Sequence, residues 1–98
     1  MKRIVEVPFP SDPQIVDPSV LGQAIRAART QAGLTIQEAA LSIGVAKQTL
    51  SDLETGKPSV KLGYVLKIAK DLGVCLFAIP SSSVDDLKRA MQTAQGSL

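Results

Sequence analysis

Lys47, Gln48, Ser51 and Asp52 bring ammonium, amide, hydroxyl and carboxylate groups together within two turns of chain. Such groups match the donors and acceptors on base edges in the major groove. Gln48 can pair with adenine N6 and N7, Lys47 can donate to guanine O6 and N7 or to a phosphate, and Asp52 can accept from cytosine N4 while repelling phosphates. An isolated polar face of this kind is more often merely solvated, so the elements around it decide the reading. Apolar residues at Ile36, Ala39, Ala40 and Ile43 follow the i, i+3, i+4, i+7 stripe of one helix, and Gly44 interrupts it. A second stripe, Ala46, Leu50 and Leu53, resumes after the break. Two short helices split by a glycine turn form a helix-turn-helix, whose second helix can lie in the major groove. On its wheel Leu50 and Leu53 point inward, and Gln48, Ser51, Asp52 and Thr55 lie opposite, with Lys47 on the flank.

Phosphate contacts are expected beside this helix. Gln37 sits in the first turn of the preceding helix, where free N–H groups favour an anion. Thr35, Thr49, Thr55, Lys57, Ser59 and Lys61 complete the expected phosphate-contacting set; such contacts set register and carry no base code.

The remaining elements must hold that helix in place. Asp17 or Pro18 opens a first helix with the stripe Leu21, Ile25, Ala28 and Ala32, closed by Gly33. Thr35 and Glu38 make a capping-box pattern for the second helix, and the third runs from about Ala46 to Thr55 before Gly56. Ser59 is expected to cap a fourth helix with the stripe Leu62, Val65, Leu66, Ala69 and Leu72, ended by Gly73. Residues 2–9 alternate as a short strand does, and a linker rich in proline follows. The apolar run Val74, Cys75, Leu76, Phe77, Ala78 and Ile79, bounded by Gly73 and Pro80, reads as a second strand, with Cys75 an inert buried thiol. A lone strand needs a partner, either the N-terminal strand or its own copy in a second subunit. Ser83, Asp85 and Asp86 start a short polar helix reaching about Ala94, and the last residues, from Gln95, fray. The expected organisation is a strand and linker over 1–18, a DNA-binding unit over 19–73, a dimerisation strand over 74–80 and a polar tail over 81–98. The fold class is mainly α: a bundle of four to five short helices flanked by two short strands.

Composition narrows the function classes. The chain of 98 residues carries a net charge of +2, a single cysteine and no histidine. An internal disulfide and the usual zinc ligand sets are excluded, and no metal or cofactor is expected. Nothing resembles catalytic machinery, so an enzyme is not expected. No apolar run approaches a membrane span or a signal-peptide core, which fits a reducing cytoplasm. Between Ser19 and Val74 seven basic residues face four acidic ones, so the central unit is the basic part.

The segment from Leu21 to Val74 resembles the phage-repressor superfamily of helix-turn-helix domains, the Xre or Cro/C1 type. The matching pieces are Arg26 and Arg29, Gly33-Leu34-Thr35, Ala39-Ala40, Gly44-Val45, Thr49-Leu50-Ser51, Leu53-Glu54-Thr55-Gly56-Lys57 and Leu66 to Val74. Two positions depart from that family: Ile36 stands where a phosphate-touching glutamine is usual, and Ala46 where Ser or Thr caps the recognition helix. The resemblance implies an ion pair between Arg29 and Glu54 that links the first helix to the end of the third. Gly56-Lys57-Pro58-Ser59-Val60, leading into Leu62-Gly63-Tyr64-Val65-Leu66, together with the apolar strand behind them, looks like HipB-type antitoxins. That likeness implies a homodimer paired through its strands, an operator built as an inverted repeat, and a HipA-type kinase toxin as partner. A stand-alone repressor without a toxin and a helical protein-binding adaptor are the competing readings.

Overall fold

The structure, a computed structural model, describes residues 3–96. Five helices follow one another: α1 (Pro18–Gln31), α2 (Ile36–Ile43), α3 (Lys47–Glu54), α4 (Leu62–Leu72) and α5 (Val84–Gly96), the last preceded by a 3-10 turn, Ser81–Ser83. The first four form a bundle in which α1 packs on α3 and α4, and α2 packs on both α3 and α4. Its core is Ile25, Ala39, Ala40, Ile43, Leu50, Leu53, Val65, Ile68 and Ala69.

Local chemistry sets the helix ends. Asp17 caps α1 by accepting from the backbone N–H groups of Ser19 and Val20. The Ser19 hydroxyl also donates to Asp17, and these bonds hold its carboxyl below the ordinary value. Thr35 and Glu38 close a reciprocal capping box on α2: the Glu38 N–H donates to Thr35 Oγ1 at 3.1 Å, and the Thr35 N–H donates to Glu38 Oε1 at 2.9 Å. The turn out of α2 needs a left-handed residue, and Gly44 supplies it at φ 88°. The Val45 N–H then wraps back to the Ala40 carbonyl at 3.0 Å, and the chain is aimed into α3.

Several expectations require correction. In α1 the buried face is Gly22, Ile25, Ala27, Arg29 and Thr30, while Ala28 is half-buried and Ala32 exposed. An apolar stripe cannot anticipate this, because Arg29 and Thr30 are buried with their polar groups satisfied. The fourth helix is not capped by Ser59: its N-cap is Lys61, with no side-chain cap bond. Its buried residues are Val65, Ile68 and Ala69, whereas Leu62 and Leu66 lie on the exposed side. That helix carries apolar residues around most of its circumference, so spacing alone did not select the face that meets α1, α2 and α3.

Neither expected β-strand is present among the described residues. Residues 3–9 lie along α1, and side chains take the place of a neighbouring strand. The Val7 N–H donates to Thr30 Oγ1 at 3.0 Å, Gln31 Nε2 donates to the Val7 carbonyl at 2.9 Å, and Gln23 Nε2 donates to the Pro8 carbonyl at 3.2 Å. Residues 74–79 have no ladder either. Val74 and Leu76 turn towards the core, and Cys75 and Phe77 are exposed. Cys75 is therefore not the buried thiol expected of an apolar run. The expected tail helix is present as α5. It packs chiefly on the 3-10 turn, and Lys88 reaches Asp12 Oδ2 and Gln14 Oε1, each at 3.2 Å. Of the frayed end expected from Gln95, residues 97–98 lie outside the described residues.

Candidate nucleic-acid interface

α3 is fixed from behind and open in front. Leu50 and Leu53 are buried in the core. At the back of its last turn Glu54 accepts from Arg29 Nε at 2.6 Å and from Arg29 Nη2 at 2.9 Å, a bidentate pair. The third nitrogen of the guanidinium, Nη1, donates to the Leu34 carbonyl at 2.8 Å, so Arg29 also ties down the entry to α2. The two side chains retain only 9% and 5% of their exposure. In this setting the pair is an internal strut, unlike a surface bridge.

A second device sets how closely α1 approaches α3. A Cβ built on Gly22 would lie 2.5 Å from the Leu53 carbonyl oxygen and 2.6 Å from that of Glu54. Backbone atoms cannot yield to such a contact, so glycine permits the helix crossing. The sequence reading missed Gly22. Its signal was weak, because a glycine inside an amphipathic helix reads only as a local cost in helix propensity.

The front of α3 carries the expected base-reading residues. Lys47 and Gln48 are exposed, and Ser51 and Asp52 are half-buried beside them. Gln48 Nε2 donates to Asp52 Oδ1 at 2.8 Å one turn along the helix. Lys57 Nζ stands 3.7 Å from Asp52 Oδ2, and the Lys57 N–H donates to the Asp52 carbonyl at 2.9 Å. The carboxylate, expected as an acceptor for cytosine, is thus engaged on both oxygens within the protein. Ala46 is the N-cap of α3 and provides no side-chain cap bond.

The expected phosphate contacts are placed unequally. Gln37 is exposed in the first turn of α2, and Lys57, Ser59 and Lys61 are exposed on the connection from α3 to α4. Thr35 and Thr49 are half-buried. Thr55 is exposed, and its hydroxyl donates to the Ser51 and Asp52 carbonyls, each at 3.1 Å, at the end of the helix. Ile36, at the family's usual glutamine position, packs against the core. Residues 74–79 line a cleft that they share with residues 9–15 and α5.

Comparison with known proteins agrees with this geometry. Residues 25–76, just over half of the chain, match the helix-turn-helix family. A curated relative, the uncharacterised HTH-type transcriptional regulator y4mF of Sinorhizobium fredii (strain NBRC 101917 / NGR234), is 35% identical over 60 residues, which is 61% of this chain and 79% of that protein. Among solved structures, the HipB–O4 20mer complex is 28% identical with a TM-score of 0.62, covering 69% of this chain and 96% of that one. The complex of a HipB single-substitution variant with an O2 20mer is also 28% identical, with a TM-score of 0.64, covering 72% and 99% of the two chains. No helix among the described residues is long and apolar enough to cross a membrane. With its helix-turn-helix held by Arg29, Glu54 and Gly22 and its α3 face open, the chain belongs to the helix-turn-helix family of DNA-binding transcription regulators, of the Xre type and similar to HipB.

Proposed function

We propose that this chain is a cytoplasmic homodimeric repressor that binds an inverted-repeat operator, and that it is the antitoxin of a HipA-type kinase toxin and regulates its own operon. The observation that carries the DNA-binding part is the face of α3, with Lys47 and Gln48 exposed and Ser51 and Asp52 half-buried beside them, on a helix clamped from behind. Gln37, Lys57, Ser59 and Lys61 flank that face and supply phosphate contacts. Residues 19–73 act as the reading unit, and residues 74–79 pair with their copy in the second subunit. The antitoxin part is supported by similarity to two HipB complexes across more than two thirds of this chain. A stand-alone repressor is the second reading, in keeping with the curated relative, whose name is that of a transcriptional regulator.

Selection of duplexes from a randomised library tests the first part. The enriched duplex should be palindromic, with half-sites about one helical turn apart, roughly 34 Å. Gln48→Ala should weaken binding to it by about 1–3 kcal/mol and leave affinity for scrambled DNA nearly unchanged. Equal losses on both would move Gln48 to the phosphate contacts, and no enrichment would sink the repressor reading. Co-purification with the product of an adjacent kinase-like gene tests the second part. Lack of a complex would leave the stand-alone repressor.

A further inference from the structure

We propose that Asp52 is a positioning residue for Gln48: its carboxylate fixes which way the Gln48 amide faces and thereby sets that side chain to prefer adenine over guanine. The inference deepens the reading of Gln48 as a base-contacting residue and rests on it.

A carboxylate only accepts hydrogen bonds. The Gln48 atom 2.8 Å from Asp52 Oδ1 must therefore be the amide nitrogen, because an amide oxygen there would face a second acceptor. With one N–H committed to Asp52, Gln48 keeps its carbonyl oxygen and one N–H for an incoming base. Adenine offers one donor, N6–H, and one acceptor, N7, which complement that pair. Guanine offers two acceptors, O6 and N7, and would place O6 against the Gln48 oxygen. A free amide escapes this conflict by turning both of its N–H groups towards guanine. The bond to Asp52 denies it that option.

The carboxylate is itself held. Asp52 is half-buried, and its second oxygen faces Lys57 Nζ at 3.7 Å. The backbone bond from the Lys57 N–H to the Asp52 carbonyl at 2.9 Å keeps that lysine at the end of α3. Lys57 offsets a negative charge that would otherwise repel the DNA backbone. Asp52 thus faces Gln48 through one oxygen and Lys57 through the other.

The experiment uses the full chain and the duplex it enriches most strongly from a randomised library. The position governed by Gln48 is the one whose preference Gln48→Ala abolishes. There the unaltered protein should favour A over G by about ten- to a hundredfold, the range of a good bidentate pair. Asp52→Ala should reduce that ratio to within about threefold. Asp52→Asn offers a donor as well as an acceptor, so it can bond the Gln48 amide in either orientation and should relax the ratio too, while raising affinity for every sequence. In a Gln48→Ala background, Asp52→Ala should change no base preference. An unchanged A-to-G ratio in Asp52→Ala overturns the proposal. So does a new preference change at another base pair in the Gln48→Ala background, which would make Asp52 a reader itself.

A measurement without DNA separates failure of the inference from failure of the base-reading premise. In the NMR spectrum of the free protein, one Gln48 side-chain amide proton should be shifted by its bond to Asp52. Asp52→Ala should return that proton to the position of a solvated amide. If it does so while Gln48→Ala relaxes no base position, the orienting contact stands and the role in adenine selection falls. If Asp52→Ala leaves the proton unmoved, the orienting contact itself is refuted.

Discussion

The four-helix bundle encloses a core of its own, and the segments that flank it do not. In the bundle Ile25, Leu50 and Ile68 are fully buried, and the deeply placed charges of Arg29 and Glu54 meet each other, with a third guanidinium bond to the Leu34 carbonyl. In the flanks Val5 and Phe77 are 76% and 80% exposed, and Val16 and Ile79 also face outward. Residues 74–79 follow the bundle without a ladder to join. The bundle hides its largest apolar side chains, whereas the flanks leave several of theirs in water; in the proposed dimer these would be the surface used for assembly.

The sharpest way to break that contrast is to attack the strut. Arg29→Ala or Glu54→Ala should each lower unfolding free energy by about 3–5 kcal/mol, because the surviving charge is left buried and unpaired. Urea denaturation reads this directly, and a change below about 0.5 kcal/mol would place the pair among ordinary surface charges. Gly22→Ala comes next. Its methyl group has no room against the Leu53 and Glu54 carbonyls, and the forced shift should cost about 1–3 kcal/mol and weaken DNA binding by tilting α3. A stability equal to that of the unaltered protein would mean that α1 can slide over α3.

A gain should follow at Ala46. Serine there can cap α3, which has no side-chain cap, and should add about 1 kcal/mol to stability. No rise in the denaturation midpoint would show that the helix start is already satisfied. The smallest effect on folding is expected in the flanks. Phe77→Asp should leave the stability of the single chain within about 0.5 kcal/mol, yet convert the proposed dimer to monomers in sedimentation. Persistence of the dimer would move the subunit contact away from residues 74–79.

The same division explains what could be read from the sequence. Asp17, the Thr35 and Glu38 box, and Gly44 announce their helices because capping and left-handed turns depend on residue type within a few positions. The stripe Ile36, Ala39, Ala40 and Ile43 was equally legible, since its spacing is helical and only Leu41 departs from it. The buried side of α4 was not, because Leu62, Leu66 and Ile68 are chemically alike and only their neighbours distinguish them. Gly22 depends on an approach by residues some thirty positions away, which no local pattern encodes. Thr55 and Asp52 have the chemistry expected of DNA contacts, but their nearest partners lie inside the protein. The flanks read as strands from alternation in residues 2–9 and from a short bounded apolar run in residues 74–79, while a ladder also requires a neighbour.

Gly22 also bears on how such a protein can be controlled. With the α1 backbone seated against the last carbonyls of α3, and Arg29 bonded across the same junction, the reading head is one mechanical part. A signal that arrives at the flanks has no soft joint inside that part to act on. In the proposed dimer it would change the spacing or angle between two heads, while the shape each presents to a groove stays fixed.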